Sequence, residues 1–371
     1  MSVQVSGKKQ IIFYFLILII FIFALEGVLR GYAYVDATCA FMKSDVYPEL
    51  NYFEKKQICT DFYYIHTKHT PVPHYIENQH TSTLNINNFG FRGVDINYEK
   101  LENTYRIFVV GGSTTYGAGS TNDNTTIPGY LQTLLNQKNL KYNVEVINAG
   151  ISAYFSLTET NLIKNKLIDF KPDLIIVYDG WNDIETDIDF HLGETYQTSF
   201  IDDSIQNLNE IVPDYQSPKI LRSIQAKLKQ MNMNEETNSE FVFDGTKIPQ
   251  KIKLWKERWT DICNMGSNEG FDVIITLQPL AGSGNKLLSD QENKYYEKRM
   301  SHFIDYYSLY GEALIELDNS CTNVKDLRFA FDDYTDTILY DGGHVVSKGN
   351  EIIANEMLDV ILSSIDTTIK Q

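Results

Sequence analysis

Basic charge is in short supply in this chain: 32 lysines and arginines face 49 aspartates and glutamates, for a formal net charge of −17. Phosphate backbones need a basic face, so the balance argues against a nucleic-acid partner and reads as a solvated acidic surface. Cysteine is also sparse. There are four among 371 residues and none sits in a CxxC pair, which sets aside zinc and thiol-redox motifs. No internal repeat or low-complexity tract stands out. What the chain does have is 43% hydrophobic residues, enough for one large domain or two modest ones with ample core.

The first long apolar run is Ile11 to Leu25, preceded by Lys8 and Lys9 and carrying no charge. Alone it is short for a hydrocarbon core of roughly 30 Å, but extension through Gly27, Val28 and Leu29 makes it adequate. Glu26 and Arg30 lie one helical turn apart and can pair near the interface. Lysines ahead of the run put the N-terminus in the cytoplasm and the rest of the chain outside. A cleaved signal peptide is the competing reading, but no small-x-small site directly follows the run. The expectation is therefore an uncleaved single-pass anchor over residues 1–35. Outside the cytosol an even cysteine count suggests disulfides. Cys39–Cys59 and Cys263–Cys321 are the expected pairs, against the alternative of four buried thiols.

Residues 36–87 read as a juxtamembrane connector rich in Tyr, Phe, His and Asp, broken by Pro71 and Pro73. Its His66, His69, His74 and His80 follow no common metal-ligand spacing, so no metal is expected. Asn88 to Gly93 forms a glycine-punctuated turn and opens a domain running over residues 88–371. The uninterrupted apolar run Ile107-Phe108-Val109-Val110 predicts a strand buried on both faces. Further strands are expected at Val144–Ile147, Leu174–Tyr178, Val273–Leu277 and Ala313–Leu317. Helices are expected around Pro128 to Leu135, after a capping box of Ser156 and Glu159, over Ile252–Cys263, over Gln291–Tyr310 and at the C-terminal end. Alternating strands and helices imply a parallel sheet with helices on both faces. Residues 184–249 break the pattern and read as an insertion, either a lid or a surface excursion, with an amphipathic helix at Ile220–Met231.

The candidate chemistry lies at the ends of these elements, where an open parallel sheet gathers its functional residues. Acyl transfer by a serine needs a base, a group to orient that base, and donors for the oxyanion. Ser113 follows Gly111-Gly112 at the end of the opening strand. His344 follows a glycine-rich turn before the last helix, and Asp341 stands three residues earlier, where it can reach Nδ1 of the ring. The backbone N–H groups of Ser113 and Gly150 and the amide of Asn182 are candidate oxyanion donors. Singly, each has a plainer reading as a turn residue or helix cap.

Four ordered blocks, Gly111-Gly112-Ser113-x-x-x-Gly117, Asn148-Ala149-Gly150, Gly180-x-Asn182-Asp183 and Asp341-x-x-His344, resemble those of the SGNH (GDSL-type) hydrolases. The resemblance covers roughly Asn88 to Leu362. It implies an α/β three-layer sandwich with a flavodoxin-like five-stranded parallel sheet, and a Ser113–His344–Asp341 esterase with no metal or cofactor. Gly150 and Asn182 would complete the oxyanion hole. The chain departs from the family signature at Gly112, where Asp is usual. The expected function is a membrane-anchored, extracytoplasmic hydrolase of carboxylic esters, with acylated glycans or lipids as the substrate classes. The alternatives are an O-acyltransferase to a sugar hydroxyl using the same triad, or a catalytically idle binding module of the envelope.

Overall fold

The computed structural model describes residues 6–36, 38–68, 74–193 and 243–368. The chain divides into two compact units, residues 1–37 with 195–242, and residues 38–194 with 243–371. In the first unit the described part is one continuous helix, α1 (Gly7–Asp36). Its Gly7–Leu29 stretch, 23 residues with a mean hydropathy of 2.8, is long and apolar enough to cross a membrane. Apolar side chains all round the helix, Phe13, Ile20, Phe21 and Phe23 among them, are exposed. The helix expected at Ile220–Met231 lies outside the described residues, and so does the side chain of Arg30.

The second unit opens with an irregular segment and α2 (Tyr52–Tyr64), whose N-cap Asn51 forms a reciprocal capping box with Glu54. Both expected disulfides are present, Cys39–Cys59 and Cys263–Cys321. The main sheet follows, built from β1 (Thr104–Gly111), β2 (Asn143–Asn148), β3 (Leu174–Asp179), β4 (Asp272–Leu277) and β5 (Asn323–Asp326). The strands are all parallel and lie in the order β2-β1-β3-β4-β5. This is the flavodoxin-like order, and the direction of winding reverses between β1 and β3.

Helices α3 (Ile127–Asn136), α4 (Ser156–Asn165), α5 (Ile248–Glu269), α6 (Asp290–Lys298), α7 (Ile304–Leu317) and α8 (Ser347–Thr368) complete the unit. They pack in two groups that flank the sheet, α3 with α8, and α5 with α4 and α7. Coverage on both faces explains why Ile107–Val110 and Leu174–Tyr178 are wholly buried and uniformly apolar. α3 starts where Thr126 Oγ1 accepts from Gly129 N at 3.1 Å, with Pro128 in the first turn, and it buries Ile127, Leu131 and Leu135.

Three expectations are corrected. Ala313–Leu317 is the end of α7 and not a strand: Tyr307, Tyr310, Leu314 and Leu317 are all buried at helical spacing. The fifth strand is Asn323–Asp326, a half-buried edge strand with no apolar run to announce it. The single helix expected over Gln291–Tyr310 is broken between α6 and α7, and the break turns Met300 fully into the core. Finally, Ser156 and Glu159 do not form a capping box. The N-cap is Phe155, whose N–H donates to Thr158 Oγ1 at 2.9 Å. Ser156 instead gives its N–H and hydroxyl to the buried Asp183, at 2.9 and 2.5 Å.

Candidate active site

Ser113 is the first residue of a short helical turn, Ser113–Tyr116, that begins directly after β1. N–H groups in a first helical turn lack intrahelical acceptors, so the turn presents donors beside the serine hydroxyl. Two supports hold it. Gly117 ends the turn in the left-handed region at φ +90, closing bonds back to Ser113 O. Arg92, from the turn ahead of β1, donates through Nη1 to Tyr116 O at 3.0 Å and to Gly117 O at 2.9 Å. Its Nε donates to Asp123 Oδ1 at 2.9 Å. This buried guanidinium was not among the expected site residues, and the nearby glycine-rich pattern was its only sequence signal.

His344 and Asp341 lie in the loop ahead of α8. The loop is pinned by Tyr340 N to His344 O at 3.1 Å and by a bridge between Leu339 and Val345. Asp341 Oδ1 accepts from the N–H groups of Gly343 and His344 at 3.1 and 2.8 Å, so the carboxylate also serves as the loop's own turn residue. The three expected residues come together. Ser113 Oγ is 2.7 Å from His344 Nε2, and His344 Nδ1 is 2.9 Å from Asp341 Oδ2 and 3.1 Å from Oδ1. An ionised carboxylate only accepts, so Nδ1 carries the proton and Nε2 is left to accept from the serine hydroxyl. Burial alone would raise the pKa of Asp341. The facing His344 and the hydrogen bonds from His344 and Gly343 overcome that and hold it below the usual carboxylate range.

Two aromatic rings confine the imidazole. Trp181 meets it edge-on at 4.9 Å between centroids, and Tyr340 stacks on it at 5.5 Å with an interplanar angle of 13°. Each ring is the immediate chain neighbour of an expected site residue, Asn182 or Asp341. Only the folded loops show that both face the same histidine.

The oxyanion candidates behave differently from one another. Asn182, in the helical turn Trp181–Glu185 after β3, donates through Nδ2 to Tyr154 O at 2.6 Å. One amide hydrogen is thus spent on orientation and the other remains. Gly112 allows this placement, because a Cβ there would lie 2.5 Å from Asn182 Nδ2. Gly150 also reaches the Ser113 turn, where any Cβ would collide with Tyr116 N. Its N–H, however, donates to Asn148 Oδ1 at 3.0 Å. Gly150 in this structure is a close-packing position whose donor is already engaged.

Below Asn182 lies a buried polar layer. Asp179 accepts from Trp255 Nε1 at 2.8 Å, from Trp259 Nε1 at 3.3 Å and from Gly180 N at 2.6 Å. Asp183 holds Ser156, and Arg258 donates to Ser156 Oγ at 2.9 Å and lies 3.0 Å from His191 Nδ1. Among the described residues no group of three or more His, Cys, Asp and Glu is arranged to hold a metal. His69 falls outside the described residues.

Residues 109–241 match the GDSL-like Lipase/Acylhydrolase family. The matched stretch includes Ser113, Gly150 and Asn182 and ends before Asp341 and His344. The match agrees with the expected resemblance to the GDSL-type hydrolases and supports an ester-hydrolysing enzyme. No curated protein matches the chain. Among solved structures, the chain is similar to LAE5, an α/β hydrolase enzyme from the metagenome of Lake Arreo, at 15% identity and a TM-score of 0.41, covering 69% of this chain and 94% of that one. It is similar to the acetyl xylan esterase AlAXEase at 13% identity and a TM-score of 0.41, over 69% and 99% of the two chains. It is also similar to a catalytic mutant of Axe2, an acetylxylan esterase from Geobacillus stearothermophilus, at 14% identity and a TM-score of 0.42, over 69% and 94%.

Proposed function

We propose that this GDSL-like enzyme hydrolyses carboxylic esters through an acyl-enzyme on Ser113, with His344 as general base and Asp341 as its orienting partner. The observation that carries the reading is the continuous Ser113–His344–Asp341 hydrogen-bond chain, with 2.7 Å between Oγ and Nε2. As Ser113 Oγ attacks the ester carbonyl, its proton passes to His344 Nε2, and Asp341 stabilises the resulting imidazolium. The carbonyl oxygen becomes an oxyanion facing the Ser113 N–H and the remaining Nδ2–H of Asn182. Gly150 N–H joins them only by releasing Asn148 Oδ1. Collapse expels the alcohol, which takes the proton from His344. A water then repeats the sequence and releases the acid.

Helix α1 supports a single-pass anchor over residues 1–35, and Lys8 and Lys9 ahead of its apolar run are the reason for reading the domain of residues 88–371 as outside the cytoplasm. Acylated glycans and lipid esters are the substrate classes that such a placement offers. A fluorophosphonate probe should label the wild-type chain stoichiometrically and leave Ser113→Ala unlabelled and inactive. Equal labelling of both, with ester turnover retained, would end the assignment. An ester panel from acetyl sugars to long acyl chains, run with and without a sugar acceptor, then separates glycan from lipid and hydrolysis from acyl transfer.

A further inference from the structure

The Ser113–His344 pair is joined across 231 positions of sequence, and among the described residues no main-sheet hydrogen bond ties the two sides together. Ser113 hangs from β1, while His344 sits in an irregular loop before α8. A misplacement of about 1 Å in such a pair can cost on the order of a hundredfold in rate, so something has to hold the gap.

Two tyrosines cross it. Tyr340 donates its hydroxyl to Ala118 O at 3.1 Å, and Ala118 N in turn donates to Ser113 O at 2.9 Å. The same Tyr340 ring stacks on His344. Tyr47, from the segment ahead of α2, donates to Gly119 O at 2.7 Å. It accepts from Ser347 N at 3.2 Å and lies 3.0 Å from Ser347 Oγ. Each tyrosine thus bonds the loop that follows the nucleophile and the segment that carries the base. Phe41 packs edge-on against both rings, at 5.7 Å from Tyr340 and 6.3 Å from Tyr47. Phe41, Tyr47, Ile58, Cys59, Tyr340 and Val346 form a small buried cluster separate from the main core. The Cys39–Cys59 disulfide closes the ends of the 39–59 segment that supplies most of it.

We infer that the disulfide-closed segment 39–59 is a positioning element of the active site, in which Tyr47 and Tyr340 brace the His344 loop against the Ser113 turn. The segment is more than a connector from anchor to enzyme, because its side chains form part of the scaffold that sets the serine–histidine distance. Tyr47 keeps its proton throughout the working range, since burial pushes its hydroxyl up to about 12. The inference rests on the catalytic reading given above.

The test uses the full-length chain in detergent with p-nitrophenyl acetate. Tyr47→Phe removes one hydroxyl and keeps the ring, and should lower kcat roughly fivefold with KM unchanged, the loss of one hydrogen bond's worth of positioning. The pair Cys39→Ser/Cys59→Ser should act in the same direction. Combined with Tyr47→Phe it should give less than the product of the two effects, because both act on one brace. Cys263→Ser/Cys321→Ser serves as the control that loses thermal stability and retains kcat. If Tyr47→Phe and the Cys39/Cys59 pair keep kcat within about twofold while Ser113→Ala is inactive, the positioning role is wrong and the catalytic reading stands. Turnover retained by Ser113→Ala would instead remove the catalytic reading itself.

Discussion

At the residue scale, Gly112 is where this chain parts from the usual family signature, and its surroundings give a reason. The side chain of Asn182 comes down onto the Ser113 turn in the space that a Cβ would fill, 2.5 Å from Nδ2. Gly112→Ala should therefore push the amide away from the oxyanion position. Removing such a donor altogether costs about 10²–10³ in kcat, and a displaced one should cost roughly tenfold, with KM little changed in steady-state kinetics. Asp341→Asn should be more severe, on the order of 10³–10⁴ in kcat, because the amide can favour the wrong imidazole tautomer. Asp341 also contributes to stability. Its folded pKa is depressed, so that contribution is present above the ordinary carboxylate value and is lost as pH falls through the lowered one.

At the element scale, α4 carries a group that the proposed chemistry does not use. Glu159 is fully buried, and neither carboxylate oxygen has a hydrogen-bond partner in the described structure. Burial, then the charges of Asp179 and Asp183, raise its pKa well above the ordinary value. The sign follows from linkage: the folded state holds this proton more tightly than the unfolded one. Its stability contribution is complete below the unfolded pKa, about 4.3, and is lost as pH rises through the raised folded value. Glu159→Gln should thus flatten the decline in unfolding midpoint over that window while matching wild type at the acidic end. Thermal melts across pH would show it, and an unchanged slope would contradict the raised pKa. The same element shows how pattern can mislead. Ser156 and Glu159 have capping-box spacing, yet the buried Asp183 takes the serine and leaves capping to Thr158.

At the scale of the whole molecule, the two disulfides divide the work. Cys263–Cys321 joins α5 to the approach to β5 and encloses a sequence separation of 58. In the loop-entropy picture such a closure is worth about 4 kcal/mol, so Cys263→Ser/Cys321→Ser should lower the unfolding midpoint by many degrees. Differential scanning calorimetry checks this directly. Helix α1 predicts a second whole-chain behaviour: the full chain should partition with membranes and resist high-salt extraction, whereas a chain lacking residues 1–35 should not. Fractionation of the two forms would decide it.

Local chemistry made much of this legible. Ile107–Val110 and Leu174–Tyr178 announced buried parallel strands because helices on both faces leave no position for a polar side chain. Ser113, Asp341 and His344 stood beside glycine turns, which are local sequence signals where the chain turns sharply between elements. Other features required the folded chain. The edge strand Asn323–Asp326 is too polar to signal itself, and Ala313–Leu317 was readable as a strand until α7 buried Tyr307, Tyr310 and Leu317 along one face. Tyr47 spanning Gly119 and Ser347 depends on contacts between residues that no local pattern relates. The sequence by itself determined which groups could do the chemistry, because residue type and turn propensity are local. Only the tertiary structure decided which donors stay free and what holds the serine 2.7 Å from its histidine, because those follow from packing between distant segments.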